Sequence, residues 1–200
     1  MNPSTLIHVG VSGAGRIGKV HAEHLAYRVP NARLAAVSDI DMAAARECAD
    51  RFHGTQAYSD AEPIMADPGI DAVAICSSTN THAPLIEAAA AAGKHIFCEK
   101  PIDFDLDRIG RCLQTVDKAG VKFQVGFNRR FDPNFWEVRR QITEGRVGDV
   151  QIVRITSRDP APPPVDYIRV SGGMFLDMTI HDFDMARYLV DSEVETVYAA

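Results

Sequence analysis

The chain has 200 residues, of which 46% are hydrophobic and 24% charged, and a formal net charge of -6. That is the composition of a soluble globular protein holding one large domain, or a medium domain and part of a second. It excludes a membrane span, since no apolar run is long enough to cross a bilayer, and its acidic balance supplies no basic face for a nucleic-acid partner.

Met1 to Thr5 has neither the basic nor the apolar region of a secretory signal, so a cytoplasmic location is expected. The four cysteines, Cys48, Cys76, Cys98 and Cys112, have no paired metal spacing. Three of them sit in apolar or helical patterns, where a small buried thiol is the default, and all four are expected to be reduced.

Leu6 to Val11 reads as a buried parallel strand, followed at once by Gly13-Ala14-Gly15-Arg16-Ile17-Gly18 and a helical pattern through Leu25. Strand, Gly-x-Gly-x-x-Gly and helix in that order form a dinucleotide cradle. Gly13 permits the turn, Gly15 lets the backbone approach a pyrophosphate, and Gly18 allows helix to pack on strand, with Arg16 and Ile17 inside the same loop. The helix amino terminus then faces the anion. The competing reading is a glycine-rich turn and nothing more. A second strand, Leu34 to Ser38, ends at Asp39, which lies 21 residues beyond Gly18. A carboxylate there accepts from the ribose hydroxyls of NAD and repels the 2′-phosphate of NADP, so NAD is the expected cofactor. Asp41 competes for the role but looks more like the cap of a helix over Met42 to Phe52.

Asp71 to Cys76 is the next strand, and a polar loop, Ser77 to His82, opens an alanine-rich helix from Pro84 to Ala92 that Gly93 stops. Ser77, Thr79, Asn80 and His82 are candidates for lining the nicotinamide side. Equally open is the reading in which Thr81 caps the helix and His82 is solvated. Lys94 to Cys98 then forms a strand that delivers Glu99-Lys100-Pro101. Ligands of open α/β sheets bind outside the carboxyl ends of the strands, and the proline forces Lys100 out of helical geometry. Lys100 is therefore a candidate catalytic cation, with Glu99 beside the cofactor; the bland alternative is a surface lysine in a turn.

Leu106 to Ala119 fits a helix and Val121 to Val125 a last strand of the dinucleotide domain, which spans 1–125. Residues 126–200 change character. Pro133 to Glu144 reads as a helix, Val150 to Ser157 as a strand alternating apolar and polar residues, Arg158 to Pro164 as a stiff proline-rich loop, and Val194 to Tyr198 as another strand. Between them Gly172 to Asp184 begins a helix running to about Val190, with Asp177 and His181 four residues apart on one face. Such a pair can bind a metal, but no third ligand has a recognisable spacing, so no metal is expected.

Taken together, the glycine motif, Asp39, Glu99-Lys100-Pro101, Gly126 to Asp132, Gly172-Gly173, Asp177 and His181-Asp182 resemble the Gfo/Idh/MocA oxidoreductase family. The segment Thr156 to Pro160 with its trailing prolines is similar to that of the family's inositol-oxidising group. The resemblance implies a Rossmann domain followed by an α+β domain with an open, largely antiparallel sheet that serves substrate binding and oligomerisation. It implies Lys100, Asp177 and His181 as the catalytic trio, further polyol contacts from Arg129, Arg158 and Asp159, and a homo-oligomer, dimer or tetramer. Family chains continue well past residue 200, so the second sheet is expected to be incomplete here. A dehydrogenase of another polyol specificity, or a non-catalytic sensor of NAD or sugar, is the competing function.

Overall fold

The computed structural model describes residues 6–199, and the chain divides into two compact units, Met1–Gly126 and Phe127–Ala200. The first is built on one parallel sheet of six strands: β1 (Ile7–Ser12), β2 (Ala32–Ser38), β3 (Gln56–Tyr58), β4 (Ala72–Ile75), β5 (His95–Cys98) and β6 (Phe123–Val125), in the order β3-β2-β1-β4-β5-β6. Helices separate the strands: α1 (Arg16–Tyr27), α2 (Met42–Ala49), α3 (Glu62–Ala66), α4 (His82–Ala91) and α5 (Leu106–Ala119). They cover both faces. Ala22, Cys48, Ala49 and Phe52 pack with Val11, Val37 and Ala74 in one cluster, while Ile64, Ile86, Ala89, Cys112 and Val116 pack with Val73, Ile75 and Ile96 in the other. A sheet sandwiched in this way explains why β4 reads as an unbroken apolar run, and β1 as one interrupted by His8, rather than as alternating strands.

The strand order reverses at β1. The chain winds outward through β2 and β3, then returns to place β4 on the other side of β1, and this is the point at which open α/β sheets bind ligands. Ser12 pairs with Ser38 on one side and Ile75 on the other, and Cys98 pairs with Ile75, so the carboxyl ends of β1, β2, β4 and β5 come level. Within this unit the strand and helix without a sequence signal are β3 and α3, three and five residues long. Neither is long enough to display a period. All four cysteines are buried free thiols; burial pushes Cys112 up to about 11 and Cys76 and Cys98 higher still.

The second unit is helical among the described residues: α6 (Pro133–Thr143), α7 (Val165–Ile168) and α8 (Ile180–Val190), with a π-helical turn, Phe175–Thr179, leading into α8. Asp132 caps α6 through Asn134 N–H at 2.8 Å, and Pro133 occupies the first turn, where a missing N–H costs nothing. Arg130 grips Asp184 in a two-pronged bond at 2.7 to 3.1 Å, and the guanidinium groups of Arg130 and Arg139 lie 5.1 and 5.5 Å from the ring centre of Tyr188. Hydrogen bonding to Asp184 holds Arg130 above its ordinary pKa.

Here the sequence expectation needs correcting. Neither Val150 to Ser157 nor Val194 to Tyr198 forms a strand, and no antiparallel sheet is present among the described residues. An alternating segment becomes a strand only when a neighbour pairs its backbone and an apolar layer covers its inward side chains. Both segments lack these within the described residues, as Ile152 at 87% and Val197 at 83% exposure show. No helix among the described residues is long and apolar enough to cross a membrane.

Candidate cofactor and active site

The loop after β1 has the construction that a pyrophosphate requires. Gly13 has φ +103°, and a Cβ there would lie 2.5 Å from Ser77 N at the end of β4. A Cβ on Gly18 would come within 1.8 Å of Gly13 O. Neither constraint applies to Gly15, where φ is -69° and an added Cβ would meet nothing within 4 Å. Open space over a glycine whose backbone has no need of glycine leaves close approach by a ligand as the physical reason for it. Helix α1 supports this. Its first turn has no acidic residue and its N-cap, Gly15, makes no side-chain bond, whereas α2, α5 and α6 are capped by Asp41, Asp105 and Asp132. The amides of α1 are thus available to an anion. Arg16 and Ile17 stand exposed on this first turn.

Asp39 closes the cradle from β2. One carboxylate oxygen accepts from Ala14 N–H at 2.7 Å and the other from Asp41 N–H at 2.9 Å. A carboxylate has about four acceptor positions, so two remain for a pair of hydroxyls, and the group is already oriented. Asp41 itself is the cap of α2, bonding Ala43 N–H at 2.9 Å, which removes it as a competitor.

Beyond β4, the Ser77 and Thr81 hydroxyls lie 2.6 Å apart, and Thr81 Oγ1 donates to Ser78 O at 2.7 Å. Thr79 and Asn80 occupy the short 3-10 turn Thr79–Thr81, with Asn80 exposed. His82 departs from both expectations, cofactor contact and solvated cap. It is 1% exposed, with Nδ1 2.8 Å from Pro101 O and Nε2 3.0 Å from Ser77 O. With both ring nitrogens on backbone carbonyls it cannot present one to a ligand, and its role is to join the ends of β4 and β5. Glu99 is held from one side, its Oε1 lying 2.7 Å from His21 Nε2. His21 is a site residue that the sequence reading missed, because its partner lies 78 positions away. Lys100 is half-buried just beyond β5, at the level of the cradle, and the Lys100–Pro101 peptide is cis.

In the second unit, Asp177 lies in the π-helical turn and His181 in the first turn of α8. The expected single α-helix is therefore rewound where the candidate residues sit, as π-turns often are at functional sites. Tyr167 of α7 donates its hydroxyl proton to Asp177 Oδ1 at 2.6 Å, and Phe127 meets the His181 ring edge-on at 6.3 Å. Arg129, expected as a polyol contact, is occupied elsewhere. It bonds Asp182 Oδ1 and, at 3.3 Å, Ser157 Oγ, while Ser157 donates to the same Asp182 oxygen at 2.5 Å. A half-buried guanidinium seeks the nearest carboxylate, and Asp182 is that group. Arg158 and Asp159 are exposed in a segment with no regular structure.

The sequence profile of the oxidoreductase family with an NAD-binding Rossmann fold matches residues 7–127, and the profile of the GFO/IDH/MocA C-terminal domain matches residues 135–200. The chain belongs to the GFO/IDH/MocA oxidoreductase family. Among curated GFO/IDH/MocA relatives, it is 54% identical to the inositol 2-dehydrogenase of Rhizobium meliloti and 51% identical to the myo-inositol 2-dehydrogenase of Thermotoga maritima, each over 96% of this chain and 58% of the relative. Among solved structures, the scyllo-inositol dehydrogenase of Lactobacillus casei with bound NAD(H) and scyllo-inositol superposes with a TM-score of 0.86 at 34% identity, covering 94% of this chain and 57% of the other. The chain thus spans little more than half the length of the relatives it matches.

Proposed function

We propose that the protein is an NAD-dependent dehydrogenase that oxidises a secondary alcohol of a polyol, with myo-inositol going to 2-keto-myo-inositol (scyllo-inosose). The observation that carries this reading is the 54% identity, along 96% of the chain, to a protein named inositol 2-dehydrogenase. The geometry of the cradle supports NAD. The α1 amides and Gly15 receive the pyrophosphate, and Asp39, fixed by Ala14 and Asp41, accepts from the ribose diol and disfavours a 2′-phosphate.

NAD supplies the hydride acceptor. What remains for the protein is the hydroxyl proton and the negative charge that develops on oxygen as the C–H bond breaks. His181 takes the proton as general base, an imidazole being suited to cycling near neutral pH. Lys100 stabilises the developing alkoxide, and Asp177, braced by Tyr167, orients the base or a neighbouring hydroxyl. Arg158 and Asp159 are the remaining candidates for polyol hydroxyls, and the second unit serves substrate binding and homo-oligomer formation. scyllo-Inositol is the second substrate reading, favoured by its presence with NAD(H) in the Lactobacillus casei structure.

The test is NADH formation, followed by absorbance, with myo-inositol, scyllo-inositol and glucose. Turnover of myo-inositol is expected, and Lys100→Met and His181→Ala should each cut kcat by about 100-fold or more while NAD affinity stays nearly intact. Ready oxidation of glucose with no activity on any inositol would overturn the substrate assignment.

A further inference from the structure

The residues on either side of Lys100 are held by histidines from two different helices, and neither histidine has a part in the chemistry above. Ahead of the lysine, the Glu99 carboxylate meets His21 Nε2 of α1 at 2.7 Å, with only 17% of the Glu99 side chain and 25% of the His21 side chain exposed. The His21 ring lies tilted against Phe97 of β5, centre to centre 4.9 Å. The far side of the carboxylate rests on Gly126, where a Cβ would come within 3.0 Å of Oε2, so Glu99 is boxed in. Behind the lysine, the buried His82 of α4 meets Pro101 O at 2.8 Å and reaches Ser77 O at 3.0 Å on its other nitrogen.

This segment has reason to be held from its flanks. β5 ends at Cys98, the last ladder bonds run from Glu99 N–H to Ile75 O at 2.9 Å and from Gly126 N–H to Cys98 O at 2.8 Å, and Pro101 has no amide hydrogen to extend them. A lysine places its ammonium at the end of a flexible four-carbon stem, so where that ammonium can reach depends in part on the backbone that carries it. Misplacing a reacting group by about 1 Å is enough to cost roughly 100-fold in rate.

We infer that His21 and His82 are positioning residues for Lys100, His21 acting through the Glu99 carboxylate and His82 through the Pro101 carbonyl. In this arrangement α1 both presents amides to the cofactor and fixes the turn bearing the cation, so the two are set by one rigid element. The inference rests on the assignment of Lys100 as the catalytic cation.

The experiment compares His21→Leu, His21→Gln, Glu99→Leu and the double variant His21→Leu/Glu99→Leu, with His82→Gln as a second probe, in the intact protein. His21→Leu should lower kcat for myo-inositol by about tenfold, leaving the Kd for NAD within about twofold, and His21→Gln, which retains an N–H near Glu99, should recover most of the loss. Because His21 acts through Glu99, adding His21→Leu to Glu99→Leu should cost nothing further. A second readout does not need turnover. With lysines carrying 13C-dimethyl labels, the Lys100 resonance, assigned by its loss in Lys100→Met, should move in His21→Leu and return toward its original position in His21→Gln. Wild-type kcat and an unmoved Lys100 resonance in His21→Leu would overturn the inference, as would a full additional loss in the double variant. If the wild type oxidises no polyol, the proposed function fails, and the resonance still decides whether His21 places Lys100. Should His82→Gln not fold, the His21 series decides alone.

Discussion

The two units of this one chain differ in where their apolar side chains go. In the first, strands and helices alternate, each helix lies back on the strands beside it, and both sheet faces close into buried apolar clusters. In the second, Met185 and Leu189 are the only buried apolar side chains among the described residues, while Trp136, Phe175, Ile152 and Tyr198 stand exposed. Polar clasps take the place of a core there: Arg129 with Asp182, Arg130 with Asp184, Arg139 with Asp191, Tyr167 with Asp177. The contrast teaches that a βα repeat completes its hydrophobic layer from local sequence, whereas a half-buried alternating segment has no layer until another strand lies beside it.

Hydrogen exchange on the 200-residue chain offers the largest test of that contrast. Amides of β1, β4 and β5 should exchange about a thousand-fold or more slowly than those of Val150 to Ser157 and Val194 to Tyr198. Comparable protection in those two segments would mean that they find strand partners in solution, and the contrast would be broken. Next in size is a matched pair of substitutions. Ile75→Ala empties a fully buried position between β1 and β5 and should cost about 2–5 kcal/mol in denaturant unfolding, while Ile152→Ala should stay within about 0.5 kcal/mol. Arg130→Met probes the clasps. It leaves the Asp184 carboxylate, 7% exposed, without its guanidinium, and should cost the second unit about 2 kcal/mol, less than a fully buried pair because the outer part of Arg130 is in water. Protection of the β1 and β4 amides should not change.

The smallest effect belongs to Glu137 on α6, held at about 2 by hydrogen bonds from Arg140 and Gln141. A carboxylate with a depressed folded pKa stabilises fully above its unfolded value near 4.5, and that contribution is lost as pH falls toward 2. Because the side chain is nearly half exposed to water, Glu137→Gln should change the acid limb of the unfolding curve only slightly. A large change would show that α6 depends on this surface pair more than its exposure allows.

Legibility in the sequence followed the same division. The glycine loop, Asp39 and the strand carrying Lys100 were readable because each is a local pattern: a turn demanding glycine, a carboxylate at a strand end, an apolar run stopped by proline. β3 and α3 were not, being too short for periodicity to speak. His82 was misread because a histidine opening a helix looks the same whether its ring meets water or two carbonyls from residues 5 and 19 positions away. The pairing of Arg129 left no local signal for a similar reason, its carboxylate being 53 positions downstream. His21 left no trace beyond its place on a helix. The π-turn at Phe175–Thr179 also escaped, since the spacing of Asp177 and His181 suits an α-helix equally well.

The four buried cysteines make this protein unusually convenient to label. A thiol pushed up to about 11, as Cys112 is, has only about one molecule in ten thousand as thiolate at neutral pH, and Cys76 and Cys98 have fewer. Cys48 is buried too, and burial pushes its thiol up, so maleimide reagents at neutral pH should pass over all four native thiols, and a single new one can be attached without first removing them. Ile40, 96% exposed and adjacent to Asp39, is the place to put it: a fluorophore on Ile40→Cys would stand beside the carboxylate proposed to hold the ribose and should report nucleotide arrival directly, in an otherwise unaltered chain.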